Sequence, residues 1–227
     1  MSSNNAAMAR AAFSSVIFGV MLAASLFGPA GHLRWPMAWA FLVFYAIFAG
    51  VGTLILDPAL LSERTRFQTD VRGWDLGLAT TAFVLMLPGT LVVCGYDARF
   101  GWSPPIPPLA QWLALATYAA GYSFSLWAAY SNPFFSTVVR IQRERGHHVI
   151  EAGPYGFVRH PGYAGPIVGH LALPIALGSL WGLVPTVAGT AFLILRTAYE
   201  DRTLAQELPG YREYMLRVPW RLCRHVW

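Results

Sequence analysis

Six apolar stretches make up about half of the chain, and they constrain its fold more than any other feature. They cover residues 11–27, 36–56, 77–96, 109–130, 164–177 and 180–195. A helix needs about 20 predominantly apolar residues to cross a bilayer. Only 12% of the residues are charged, against about 25% in a soluble domain. The pattern predicts an all-α fold, a polytopic membrane helical bundle with about six transmembrane helices.

Local breaks refine this prediction. A kink is expected at Pro88-Gly89 in the third stretch, and the sixth should continue as helix through residues 196–208 and end at Pro209-Gly210. The first stretch follows Arg10 and could be taken for a secretory signal peptide. Because Gly28-Pro29-Ala30 is a poor cleavage site, we expect this stretch to be retained as the first span.

The basic residues indicate an orientation. All 16 residues counted as Lys or Arg are arginine, and six spans would place fourteen of them on one side of the membrane. Only Arg34 and Arg99 would fall on the other side. Since Lys and Arg concentrate in cytoplasmic loops, we expect both termini in the cytoplasm. The net charge of +5 then reflects orientation, and we expect no nucleic-acid partner.

Residues 153–163, here called the Arg-His loop, carry Arg159 and His160 on a backbone that we expect to be non-helical. Pro154 and Pro161 each lack an N–H, and three glycines permit tight turns. Irregular backbone near the membrane is tolerated only where it is buried in protein or lines a watery cavity. A binding site is one interpretation of this loop. The alternatives are an arginine that reaches lipid headgroups and a structural histidine.

An acidic pair, Glu200-Asp201, follows the sixth stretch. On a helix, Arg196, Glu200, Thr203 and Glu207 would share one face. Both an electrostatic or metal site and an ordinary solvated helix end fit this arrangement. We expect no metal, because His147-His148 has no partner at helical spacing and the cysteines form no CxxC motif.

Together these residues resemble the isoprenylcysteine carboxyl methyltransferase family and its phospholipid N-methyltransferase relatives. The resemblance lies in Gly153-Pro154-Tyr155, Val158-Arg159-His160-Pro161-Gly162-Tyr163, Gly165, Glu200-Asp201, Tyr211 and Tyr214, and in Asn132-Pro133-Phe134-Phe135 upstream. It is strongest over residues 132–227. It is weaker before them, although residues 60–64 and Trp74-Asp75 are also similar to bacterial members. Asp201 departs from the family, which usually has a second glutamate there.

The resemblance implies one integral membrane domain over residues 1–227. Residues 1–131 would hold four spans, and residues 132–227 would hold two spans and a cytoplasmic cofactor-binding region. It implies a multi-pass enzyme of a bacterial cytoplasmic membrane that uses S-adenosylmethionine to methylate a lipophilic acceptor, through carboxyl O-methylation. Membrane lipid would surround the protein and supply the acceptor.

The resemblance also implies site residues. Arg159 and Glu200 would be catalytic. The cofactor-binding set would be Tyr155, Val158, Arg159, His160, Pro161, Tyr163, Gly165, Glu200 and Asp201. Arg159 and His160 suit the carboxylate of S-adenosylmethionine, and Glu200 suits its ammonium or sulfonium group. A carboxylate acceptor needs no general base, whereas an amine or thiol would need one, with Glu200 or His160 as candidates.

Two other functions remain open. Sterol reductases resemble this family in their C-terminal half, so the chain could be a membrane reductase that uses NADPH. It could also be a non-catalytic membrane accessory protein that keeps the motifs for structural reasons.

Overall fold

The structure, a computed structural model, describes residues 3–65 and 72–227. Arg66, one of the arginines used to predict orientation, lies outside these residues. The described residues form the helices α1 (Ser3–Ala30), α2 (Pro36–Ile55), α3 (Pro58–Thr65), α4 (Gly73–Val84), α5 (Thr90–Phe100), α6 (Pro108–Ser131), α7 (Pro161–Ala176), α8 (Leu183–Glu207) and α9 (Tyr211–Arg217). No strand occurs among them, in agreement with the predicted all-α class.

Prolines and glycines set several helix ends. Pro36, Pro108 and Pro161 occupy the first positions of α2, α6 and α7, where a backbone N–H would have no partner within the helix. At its other end, α8 stops before Pro209-Gly210, as predicted. The non-helical prediction for the Arg-His loop holds for residues 157–160, whereas residues 153–156 form a short 3-10 helix. It is wrong for residues 161–163. Those three residues form the first turn of α7, because proline is well suited to open a helix.

The predicted kink in the third stretch is a π-helical turn over Leu85–Gly89, which joins α4 to α5. Pro88 lies inside this turn and cannot donate a backbone hydrogen bond, so the regular ladder is interrupted there. The combined helix Gly73–Phe100 is one of three that are long and apolar enough to cross a membrane. Asn5–Ala30 and Pro36–Ile55 are the other two in the described part of the chain. These helices support a membrane protein.

The remaining predicted spans fall on α6, α7 and α8. Side chains of α6 and α8, such as Leu109, Leu113, Val184 and Val187, are each more than half exposed, which suits contact with lipid. The 16 residues of α7 give about 24 Å of helix, less than the roughly 30 Å of a bilayer core. The count of six spans therefore stays a prediction.

Close helix contacts hold the bundle together. α6 crosses α7 where Gly121 meets Gly165, and a Cβ on either glycine would collide with the backbone of the other. Small residues at helix crossings permit this approach within membranes. α1 packs against α5, with Leu22 and Leu26 in the main apolar core.

The helices α7 and α8 carry the candidate site residues to one end of the bundle. α7 starts at the Arg-His loop and leads to the opposite end, where Ser179 donates a hydrogen bond to Asp97. α8 then returns and brings Glu200 and Asp201 beside the loop. The antiparallel pair therefore unites two motifs that are about 40 residues apart in sequence.

Candidate functional site

The buried carboxylate of Asp201 lies at the centre of a charged group of side chains. Arg159 donates from Nε to Oδ1 and from Nη2 to Oδ2, each at 2.9 Å. Arg221 donates from Nε to Oδ2 at 2.8 Å, and the Tyr211 hydroxyl donates to Oδ1 at 2.9 Å. His160 Nε2 lies 3.1 Å from Oδ1. These five residues are here called the Asp201 cluster, and they saturate the carboxylate.

Backbone groups of residues 218–221 hold the Arg-His loop in place. The backbone N–H of Arg159 donates to the carbonyl of Trp220 at 2.8 Å, and that of His160 donates to the carbonyl of Arg221 at 2.9 Å. Nη1 of Arg159 donates to the carbonyl of Val218 at 2.8 Å. The guanidinium of Arg159 therefore has internal partners at all three of its nitrogens.

Electrostatics keep the Asp201 cluster charged. Burial alone would raise the pKa of Asp201, but hydrogen bonds from His160 and Arg159, and one from Arg221, hold that pKa well below its usual range. Burial and the adjacent Asp201 raise the pKa of the Tyr211 hydroxyl, so it keeps its proton. Two guanidinium groups share one carboxylate, so the cluster is net positive. A net positive cluster attracts a carboxylate or phosphate group of a ligand.

Glu200 belongs to a separate set of side chains. The Tyr163 hydroxyl donates to Glu200 Oε2 at 2.7 Å and accepts a hydrogen bond from Arg196 Nη1. Arg196 Nε donates to Asp75 Oδ1 at 2.7 Å, and the backbone N–H of Val139 donates to Asp75 Oδ2 at 2.7 Å. Glu200, Tyr163, Arg196 and Asp75 are here called the Glu200 chain. The chain connects α8 to α7 and α4.

A polar cavity lies between the Arg-His loop, α8 and residues 132–150. Its lining includes Asn132, Phe134, Phe135, Arg140, His147, His148, Tyr155, Arg159, His160, Gly162, Tyr163, Glu200, Tyr211 and Tyr214. The cavity encloses about 100 Å³, below the roughly 300 Å³ or more of typical ligand pockets. A ligand of adenosyl size therefore requires its outer wall, which includes residues 147–150, to move outward.

His147 gives that outer wall a flat aromatic surface. Its ring stacks on Phe134 with centroids 4.5 Å apart, and the backbone N–H of Gln142 donates to its Nδ1 at 3.3 Å. Burial, together with the neighbouring charges of His148 and Arg145, lowers the pKa of His147 to about 4. The ring is therefore neutral at pH 7, and a neutral ring suits stacking with an aromatic ligand group.

An apolar cavity of about 600 Å³ lies on the other side of the Arg-His loop, among α1, α2, α4 and α6. The residues that line both cavities are Phe135, Ser136, Val138, Gly162 and Tyr163. A Cβ on Gly162 would collide with the ring of Phe135, so glycine permits this close contact. Only a thin wall of side chains separates the polar cavity from the apolar one.

Five predicted site residues line the polar cavity, namely Tyr155, Arg159, His160, Tyr163 and Glu200. The other four do not, and their contact with a ligand stays a prediction. Val158 and Pro161 are buried, and Gly165 lies at the crossing with α6. Asp201 is buried beneath Arg159, so it builds the cavity wall from behind.

Two further residues of the polar cavity belong to the sequence motifs, although the sequence alone assigns them no role. Asn132 Nδ2 donates to the Tyr155 hydroxyl at 3.0 Å, and the Tyr214 hydroxyl donates to the Tyr155 carbonyl at 2.7 Å. Asn132 and Tyr214 were part of the family resemblance, and that was their only signal. In residues 3–65 and 72–227, no group of three or more His, Cys, Asp or Glu side chains is placed to hold a metal.

Comparison with known proteins places a methyltransferase-like region on this site. The family model described as "Phospholipid methyltransferase" matches residues 109–209, which contain nearly all of α6, the whole of α7 and α8, and both motifs. The Delta(14)-sterol reductase TM7SF2 of Mus musculus is 31% identical over 100 residues, or 43% of this chain. The lamin-B receptor of Drosophila melanogaster is 32% identical over 117 residues, or 48% of this chain. The matches span only 24% and 15% of those relatives' own lengths.

Proposed function

We propose that the protein is an integral membrane methyltransferase that uses S-adenosylmethionine to methylate a lipophilic acceptor. One observation carries the proposal. A polar cavity built from the region similar to phospholipid methyltransferases meets an apolar cavity across Phe135, Gly162 and Tyr163. A charged donor and a lipid would approach each other at this wall, each from the environment that suits it.

The lining of the polar cavity fits the chemical groups of S-adenosylmethionine. The Glu200 carboxylate suits the ammonium or sulfonium group, and the net positive Asp201 cluster, with Arg159 and His160 at the cavity, suits the carboxylate. Tyr155 and the stacked pair of Phe134 and His147 offer aromatic surface for adenine. When bound, S-adenosylmethionine supplies a methyl group carried on a positively charged sulfur.

We propose carboxyl O-methylation as the reaction. An acceptor carboxylate oxygen forms the new C–O bond while the S–C bond breaks and its electron pair stays on sulfur, so no proton has to move. The polar wall then acts by orienting the two reactants and excluding water. An amine acceptor would have to lose a proton, and Glu200 or His160 would be its base.

We also propose that the chain crosses a bacterial cytoplasmic membrane six times, with both termini in the cytoplasm. Arg64, Arg140 and Arg159 lie at the end of the bundle that holds the site. At the opposite end, Arg99 lies beside Gly31 and Arg34 follows α1. The arginine-rich end would be cytoplasmic, where S-adenosylmethionine is made.

Calorimetric titration of the detergent-solubilised chain with S-adenosylhomocysteine tests the donor site. We expect binding by the wild type and strongly weakened binding by Arg159→Ala and Glu200→Ala. Glu213→Ala, which changes an exposed glutamate outside the cavity, should bind as the wild type does. The proposal is wrong if the wild type does not bind, or if the cavity variants bind as well as Glu213→Ala.

A second candidate function is an NADPH-dependent reductase, because the mouse relative is named a Delta(14)-sterol reductase. The same titration with NADPH separates the two functions, since the proposed methyltransferase should prefer S-adenosylhomocysteine. A non-catalytic protein would be distinguished by incubating the chain with membrane extract and labelled S-adenosylmethionine. Labelled lipid product, identified by mass, would exclude that role.

A further inference from the structure

Arg64 on α3 differs from the buried Arg159 and Arg196 and from the partly buried Arg140. Arg140, Arg159 and Arg196 each form an ion pair with a carboxylate. Arg64 forms none within the described residues. Its guanidinium lies over the ring of Phe135, 5.1 Å from the ring centroid, and this is its principal contact.

The position of Arg64 makes this lack of an acidic partner costly. The residue lines the apolar cavity among side chains such as Phe18, Phe48 and Phe83. Burial lowers the pKa of Arg64 from its ordinary value, although the charge of Tyr163 opposes this effect. A cation–π contact offsets only part of the desolvation penalty of such a charge. An anion from outside the chain would balance this charge.

The cavity around Arg64 indicates what kind of anion this is. The cavity encloses about 600 Å³, and most of its lining is apolar. A second apolar cavity, along α1, α2 and α6, also has Arg64 in its wall. A small inorganic anion would leave this volume unfilled. A lipid with one long apolar chain and a negative head would use both the volume and the cation.

Arg64 also lies close to the polar cavity. Phe135, which its guanidinium covers, lines both cavities and packs on Gly162. A head group held by Arg64 would therefore lie beside the wall that separates the lipid from the proposed methyl donor. The guanidinium fork fits the two oxygens of a carboxylate or a phosphate.

We propose that Arg64 binds the anionic head group of the lipid acceptor, whose apolar chain occupies the cavity among α1, α2, α4 and α6. The proposal rests on the proposed function, because that function makes a lipid the acceptor. It assigns a specificity-determining residue to the N-terminal half, outside the region similar to phospholipid methyltransferases. Arg64 selects lipids by the charge of the head group, and the cavity selects them by their apolar hydrocarbon chain.

Equilibrium binding of labelled lipids to the full chain in detergent tests this assignment. The probes are palmitate, hexadecyl phosphate and the neutral methyl palmitate, at mildly alkaline pH. We expect the wild type to prefer at least one anion over methyl palmitate by about tenfold or more, as a charge-assisted hydrogen bond would give. Arg64→Gln should abolish that preference. The anion whose preferential binding disappears in this variant identifies the head group.

Two further variants control the measurement. Arg202→Gln removes an exposed arginine that also lies over an aromatic ring, that of Tyr199, and it should keep the wild-type preference. Arg64→Lys keeps the charge and should retain part of the preference, which tests the proposal if Arg64→Gln does not fold. Equal binding of anions and ester by the wild type would overturn the proposal, and so would a preference that survives in Arg64→Gln.

Titration with S-adenosylhomocysteine separates this inference from the proposed function. Arg64→Gln should bind it as the wild type does, because Arg64 does not line the polar cavity. If the wild type binds S-adenosylhomocysteine but shows no preference for anions, the role of Arg64 is wrong and the methyltransferase proposal stands. If an Arg64-dependent preference occurs without S-adenosylhomocysteine binding, the methyltransferase proposal is wrong.

Discussion

Glu200 and Asp201 are neighbours in sequence, yet they belong to regions of opposite character. The Asp201 cluster has five donor atoms around one carboxylate and, apart from the partly exposed Arg221, almost no exposed surface. Glu200 receives the Tyr163 hydroxyl and faces the polar cavity. A carboxylate whose hydrogen bonds are internal supports the wall, and one that faces a cavity is available to a ligand. Substitution of Asp201 should therefore lower stability, whereas substitution of Glu200 should lower ligand affinity.

The largest effect is expected for Asp201→Ala. This change leaves the guanidinium groups of Arg159 and Arg221 without their carboxylate, and breaking a buried pair costs about 3–5 kcal/mol of folding free energy. Denaturant unfolding in detergent measures the loss, and Asp201→Asn, which keeps the shape, serves as the milder variant. The comparison breaks down if Asp201→Ala is no less stable than Glu200→Ala.

Glu200→Gln should lower ligand affinity and leave stability almost unchanged. The amide still accepts the Tyr163 hydroxyl but loses the charge that suits a cationic ligand group. Loss of a charge-assisted hydrogen bond should weaken S-adenosylhomocysteine binding by about 10- to 100-fold. The free energy of unfolding should change by less than about 0.5 kcal/mol. A large loss of stability with unchanged affinity would reverse the roles given to the two acids.

Tyr163→Phe should have a smaller effect on the same site. The change removes the hydroxyl that joins Arg196 to Glu200, so Glu200 loses its fixed position at the cavity. We expect a loss of about 1 kcal/mol, or roughly fivefold in S-adenosylhomocysteine affinity. Tyr199→Phe is the matched control, because Tyr199 stacks on Trp74 away from the cavity. Equal affinities for the two variants would mean that the hydroxyl does not position Glu200.

The effect that is smallest at neutral pH concerns the outer wall of the polar cavity. The lowered pKa of His147, about 4, means that the unfolded chain binds a proton near pH 6.5 before the folded chain does. Between these values the unfolded state holds more protons, so the free energy of unfolding should rise with pH. His147→Gln should flatten this slope in denaturant unfolding, while His148→Gln, which removes a smaller cause of the shift than burial, should keep most of it. An unchanged slope in His147→Gln would contradict the assignment.

The sequence predicts the helices well because their signals are local. Pro209-Gly210 ends α8 as predicted, whereas Pro161, predicted to lie in the loop, opens α7. The partners of the motif residues are not local. Whether Arg159 meets Asp201 or Glu200 depends on how α8 is rotated against α7, and Asp75 meets Arg196 across 121 positions of the chain.

The Asp201 cluster also could not be predicted in full because part of it is backbone. The family resemblance predicts that Arg159 lies near a ligand. The sequence gives no sign that carbonyls of Val218, Trp220 and Arg221 hold its loop. Asp201 is one methylene shorter than the second glutamate that the family resemblance leads one to expect. Its short side chain lies directly beneath the guanidinium of Arg159.

The backbone pairing of residues 218–221 with the Arg-His loop sets an order of assembly during translation. Arg159 leaves the ribosome 42 residues before its carboxylate partner and 59 residues before the carbonyl of Val218. The helices α1 to α6 are synthesised by then, and the apolar contacts among them can form first. The polar site is therefore the last part of the bundle to close. A nascent chain arrested before residue 218 would present Arg159 without the carbonyl of Val218 to the quality control of the cell.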